Sequence, residues 1–149
     1  MEMIMCMAYE KKCSCGARSA SFHFRDNILT EQVVRGLYCP ACAPKAAADP
    51  ATSVSDNGWL VTYDMEVAQA AAAKRFTREV TPAFLFDEGY CTWNGMYPGD
   101  HIDSVRERES ITALAKTDPL EYLKKLKTWA VERSERLKHE GWRKAQSAA

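Results

Sequence analysis

Four cysteines in the first third of the chain fall into two close pairs, Cys13-Ser14-Cys15 and Cys39-Pro40-Ala41-Cys42, separated by 23 residues. That interval is long enough for a β-hairpin, and a hairpin that folds back brings the pairs face to face. Pro40 stiffens the second turn, small Ala41 lets the backbone wrap a sulfur, and Gly16 after the first pair can take a positive φ. Four thiolates converging in this way make the tetrahedral sulfur cage that Zn2+ prefers, with Zn–S bonds near ~2.3 Å. The expected ligands are therefore Cys13, Cys15, Cys39 and Cys42. A closed four-sulfur site has no position left for water, so its expected role is structural: it holds together a module too small to fold well alone.

The first pair has a one-residue spacer, Ser14, where the common ribbon has two. Iron in a rubredoxin-like cage wants two-residue spacers in both pairs, and disulfides or unliganded thiols are the remaining alternatives. His23, between the pairs, can in principle replace a cysteine but reads as a surface or hydrogen-bonded side chain. Cys6 and Cys91 are left over and read as small buried hydrophobes. The start Met1-Glu2-Met3-Ile4-Met5-Cys6-Met7 lacks the basic region of a signal peptide, and paired metal-type cysteines suit a reducing compartment, so the expected location is cytoplasmic. No apolar run approaches the ~20 residues of a membrane helix.

With 149 residues, 46% hydrophobic, the chain can bury a real core. Its pattern predicts an α+β protein in three parts: a zinc-ribbon hairpin module over 1–46, a small, polar, Pro-bearing linker over 47–57, and a helix-rich α+β module over 58–149. Residues 1–12 suggest an edge strand. Residues 19–25 and 33–38 alternate or are β-branched, as strands do. Residues 59–63 read as a strand and 65–78 as a helix capped by Asp64, with Met65, Ala68, Ala72 and Phe76 on one face. The apolar run Pro82–Phe86 reads as a short strand. Ser104 and Glu107 suggest a capping box opening a helix to about Lys116. Asp118-Pro119-Leu120-Glu121 marks a stronger start, for a helix running to about Glu140 and stopping at Gly141. Its apolar stripe is Leu120, Leu123, Leu126, Ala130 and Leu137, with Trp129 and Trp142 extending it.

The loop from Cys91 to Asp103 contains a thiol, His101 and two carboxylates, the residue types of nucleophilic catalysis. Nothing in the sequence brings Cys91 and His101 together, and no phosphate-binding glycine loop, His-Glu-x-x-His or Gly-x-Ser-x-Gly is present. Catalysis by this chain is not expected. Charge is uneven: residues 1–103 carry 9 Lys/Arg against 13 Asp/Glu, and residues 104–149 carry 11 against 7. The final helix is basic through Lys124, Lys125, Lys127, Arg133, Arg136, Lys138, Arg143 and Lys144, which raises nucleic-acid binding as an alternative. Interspersed Glu121, Glu132, Glu135 and Glu140 and a pI near 6.8 favour an ordinary solvated helix.

Residues 13–42 resemble a zinc ribbon. The order Cys-x-Cys then Cys-x-x-Cys is also similar to the zinc switch of the redox-regulated heat-shock chaperone, which implies zinc release on oxidation. There the motif lies at the C-terminus with a longer spacer. The run Lys12-Cys13-Ser14-Cys15-Gly16 with Leu37-Tyr38-Cys39-Pro40-Ala41-Cys42 resembles the small zinc-bearing subunit of acetone-carboxylase-type enzymes, although that family's Gly after the last cysteine is Ala43 here. The functional expectation is a non-catalytic zinc-binding accessory protein or small subunit of a larger assembly, working through a protein partner or self-association. A nucleic-acid-binding regulator and a thiol redox switch are the alternatives.

Overall fold

Strand β1 (Met7–Lys12) turns through the first cysteine pair into β2 (Ser19–Phe24), pairing antiparallel from Met7 opposite Phe24 to Lys12 opposite Ser19. The computed structural model describes residues 7–46, 48–73, 75–76 and 79–147; Cys6 and the first six residues of the expected edge strand lie outside them. Two single 3-10 turns lead to β3 (Val34–Tyr38), which ends at the second cysteine pair. Then follow β4 (Ser53–Asp56), β5 (Trp59–Tyr63), α1 (Met65–Ala72), α2 (Pro82–Asp87), the two-residue β6 (Thr92–Trp93), α3 (Asp100–Thr112), α4 (Pro119–Glu140) and α5 (Arg143–Ser147). The class is α+β, with a long helix near the end, as the sequence predicts.

The strands form two antiparallel three-stranded sheets, ordered β1-β2-β6 and β3-β5-β4. The two strands between the cysteine pairs therefore do not pair with each other. β2 is the centre of one sheet, while β3 is an edge of the other. Backbone pairing also crosses the stretch read as a linker: β4 lies inside 47–57, and β3 pairs with β5 from the following segment. The β4–β5 connection explains why. Asn57 (φ 51°) and Gly58 (φ 91°) both occupy the left-handed region, as a two-residue hairpin turn requires. A Cβ on Gly58 would come within 3.2 Å of Pro40, so this turn also packs on the second cysteine loop.

The core lies where the sheets meet, and Trp93 is its centre. Fully buried, its ring lies 5.4 Å from Phe22 of β2, 6.0 Å from Trp59 of β5 and 5.4 Å from Phe86 of α2. Tyr63 is also buried and donates from its hydroxyl to the Cys91 carbonyl at 2.6 Å, joining the β5 sheet to the approach of β6. Asp56, 3% exposed, accepts from the Trp93 indole Nε1–H through Oδ2 (2.7 Å) and from the Arg143 backbone N–H through Oδ1 (3.0 Å). Two N–H donors require two acceptor oxygens, which a carboxylate has and an amide lacks. Asp56→Asn is therefore expected to cost about 1–3 kcal/mol in urea unfolding, with one donor left facing an NH2 group. Burial pushes the Asp56 carboxyl above its usual value, against the indole bond. The native state thus holds that proton more tightly than the unfolded chain. Asp56's contribution falls as pH rises from about 3.9 through the raised native value, and this slope should be absent in Asp56→Asn.

Three helices depart from the sequence expectation. α1 is capped by Asp64, which accepts from Val67 N–H at 3.2 Å, and buries Ala68 and Ala72, but it stops at Ala72. Phe76 lies beyond it, packed on Phe84 (5.3 Å) and Tyr90 (4.9 Å). Pro82–Asp87 is a helix, not a strand: Thr81 accepts from Phe84 N–H at 3.1 Å, with proline in the first turn. α3 begins at Asp100, four residues before the expected cap, so Ser104 lies within the helix and its carbonyl accepts from Arg108 Nε at 3.0 Å.

α4 starts at the Asp118 cap and ends at Gly141, as expected, spanning ~33 Å. Its stripe packs only in part. Leu137 is buried, but Leu120 and Leu123 are 79% and 59% exposed. Half-buried Trp129 and Arg133 face α3 instead, Trp129 donating from Nε1–H to Glu107 at 3.3 Å. The α3–α4 pair is fastened at its base, where buried Asp100 accepts from Met96 N–H (2.7 Å) and pairs with the Arg133 guanidinium. Asp100→Asn leaves Arg133 without its charge partner in a site that exposes only 17% of its side chain. The expected result is faster amide exchange across 119–140, with protection of the β2 and β5 amides retained.

Candidate metal centre

The first cysteine pair sits in the β1–β2 turn. Cys13 N–H donates to Arg18 O (2.7 Å) and Gly16 N–H to Cys13 O (2.8 Å), a turn that Gly16 closes at φ 76°. A one-residue spacer suffices because the strands are already fixed by the hairpin ladder on either side. The second pair follows β3 directly: Cys42 and Ala43 both donate to the Cys39 carbonyl, at 2.9 and 2.8 Å. The two turns are joined by Ser14 N–H donating to Leu37 O at 3.1 Å. Thus each sheet contributes one cysteine turn, and the ligand cluster sits where the sheets meet.

The sulfurs of Cys13, Cys15, Cys39 and Cys42 all lie within 4.8 Å of one another, and those of Cys15 and Cys39 are 4.0 Å apart. Tetrahedral thiolates around zinc at ~2.3 Å are about 3.8 Å apart, so a slight contraction seats the ion. The donor set fits a soft divalent metal: four sulfurs with no oxygen or nitrogen among them. All four expected ligands are brought together. His23 is not one of them; it lies on β2, half-buried, and burial followed by Lys144 lowers its pKa.

Burial is graded across the four. Cys13 and Cys39 are 3% and 1% exposed and belong to the core, Cys42 is half-buried, and Cys15 is exposed. Cys39 N–H donates to Cys13 Sγ at 3.0 Å. Burial pushes the Cys13 thiol up, but backbone N–H groups of Cys15 and Cys39 outweigh it, aided by the neighbouring thiols, and bring it to about 6. Cys42, hydrogen-bonded to Cys13, is pushed up to about 11. One thiolate is thus favoured by the fold, as a metal ligand must be deprotonated to bind.

The residue types of nucleophilic catalysis in the 91–103 loop are not assembled into a site. Cys91 is fully buried, and burial pushes its thiol far above the ordinary range. His101 is exposed on α3. A thiolate nucleophile needs access and a lowered pKa, and Cys91 has neither. Of the eight cations of the last helices, five are engaged within the molecule, among them Lys125, which pairs with Glu121 at 3.9 Å. Arg133 pairs with Asp100, Arg136 with Glu107 (3.3 Å) and Arg143 with Asp87 (2.7 Å), while Lys144 donates to Trp93 O (3.0 Å). No described helix is long and apolar enough to cross a membrane. Compared with known proteins, the chain matches no family model, no curated protein and no solved structure.

Proposed function

We propose that the chain is a non-catalytic zinc-binding accessory protein or small subunit of a larger cytoplasmic assembly, acting through contacts with a protein partner. The observation that carries the metal part is the four-sulfur cluster itself, spanning no more than 4.8 Å. Zinc is the ion that four thiolates in tetrahedral array select, and with four protein ligands it has no open position at which to activate water. The metal's work is to tie two small sheets together. This supports a zinc-ribbon reading; kinship with the carboxylase subunit rests on the motif resemblance alone.

The partner part is supported by α3 and α4, which leave Leu120, Leu123, Val131 and Val105 more than half exposed and Ile102 48% exposed. Among the described residues, five of the six large exposed apolar side chains lie on this helical pair, and apolar surface gathered in one place favours an interface. Light scattering after size exclusion, on protein purified from its source without a tag, tests this. The expected mass exceeds the 16.8 kDa of one chain. A lone monomer under every buffer condition contradicts the subunit reading and leaves the metal reading intact.

A further inference from the structure

Two clefts lie beside the cysteine turns along β3. One, of about 430 Å3, is lined by Ser14, Tyr38 and Lys45 beside the ligand Cys42. The other, of about 190 Å3, is lined by Lys11, Lys12, Arg35 and again Ser14 and Tyr38. Shared lining makes them one groove, with the Tyr38 ring in the middle. Gly36 makes room for that ring: a Cβ there would come within 3.2 Å of it. No carboxylate lines either cleft, and among the described residues none of the four cations makes an ion pair. The contrast with the last helices is sharp, since five of their eight cations are bonded within the molecule.

We propose that this groove binds single-stranded nucleic acid, with Lys11, Lys12, Arg35 and Lys45 on successive phosphates and a base stacked on Tyr38. Cations without carboxylate partners track a phosphodiester backbone, and an aromatic ring among them accepts a base of any sequence. A base stacked on the Tyr38 ring must be unpaired and free of its own neighbours, which a single strand offers and a duplex does not. An acidic peptide would use the cations but not the ring. The inference does not depend on the partner proposed above, nor on which metal fills the cysteine cluster.

The test is fluorescence anisotropy on the metal-loaded full chain with labelled U12, dT12, a 12-base-pair duplex and a polyglutamate peptide. Either single strand, or both, is expected to bind at 50 mM salt at least tenfold more tightly than the duplex or the peptide. Four phosphate contacts at a slope of ~0.7 each imply on the order of 50-fold weaker binding at 200 mM. Tyr38→Ala is expected to lose about tenfold, and Tyr38→Phe, which keeps the ring, less than twofold. Lys12→Ala and Arg35→Ala should each flatten the salt slope, whereas Lys124→Ala on α4 should not. Circular dichroism and metal content verify that each variant is folded. No binding of either strand at 50 mM salt overturns the proposal, as does equal binding of peptide or duplex. Loss through Lys124→Ala instead of the groove variants also overturns it.

Discussion

Cys39→Ser, or removal of the metal with a chelator, is expected to abolish cooperative unfolding of the chain at 25 °C. Cys39 is 1% exposed, lies in the core beside Leu37, and bonds Cys13 through its own N–H. Its loss breaks the metal site and the junction of the two sheets together. Structural zinc contributes on the order of 10–16 kcal/mol in small modules, and whole domains are stable by only about 5–15 kcal/mol. The ligands should not be equivalent. Cys13→Ser should behave like Cys39→Ser, since both sulfurs are core groups. Cys15, which is exposed, should tolerate serine best, with weaker metal binding and a folded chain. Thermal melts by circular dichroism, with and without chelator, test the order. A chelated protein that melts as the untreated one does would contradict a structural role.

Trp93→Ala should be the most damaging change outside the cysteines, at about 3–5 kcal/mol for the aromatic truncation alone. Three rings from three elements close on this indole, so the cavity is walled by β2, β5 and α2 and collapses poorly. The substitution also strips the Oδ2 bond from buried Asp56. A double-mutant cycle separates the two effects. With Asp56→Asn as the partner change, the combined loss should fall short of the sum, because both remove the same hydrogen bond. Additive losses in guanidinium unfolding would refute the shared bond.

The four-cysteine cluster was legible because paired cysteines on short spacers carry their own geometry. α4 was legible too, since Asp118-Pro119 and Gly141 are strong local start and stop signals that tertiary context did not override. What went unread was long-range. Nothing local tells β2 that its second partner is β6, some 70 residues on, or tells β3 that it pairs with β5. Some of the rest was readable. Asn57-Gly58, at the end of the stretch expected to be a linker, is a strong two-residue hairpin signal. Thr81-Pro82 marks a helix start, but the short apolar run after it looks the same in a strand. The exposure of Leu120 and Leu123 was hidden because periodicity shows that a stripe exists, not that the molecule covers it. The Lys11, Lys12, Arg35 and Lys45 groove was invisible for a related reason: its residues come from three separate segments.

If four cysteines hold one structural zinc, native mass spectrometry of the intact chain must find it. The expected spectrum shows one zinc per 16.8 kDa chain, absent from Cys39→Ser. A folded chain carrying no metal, or one carrying iron, would contradict the account.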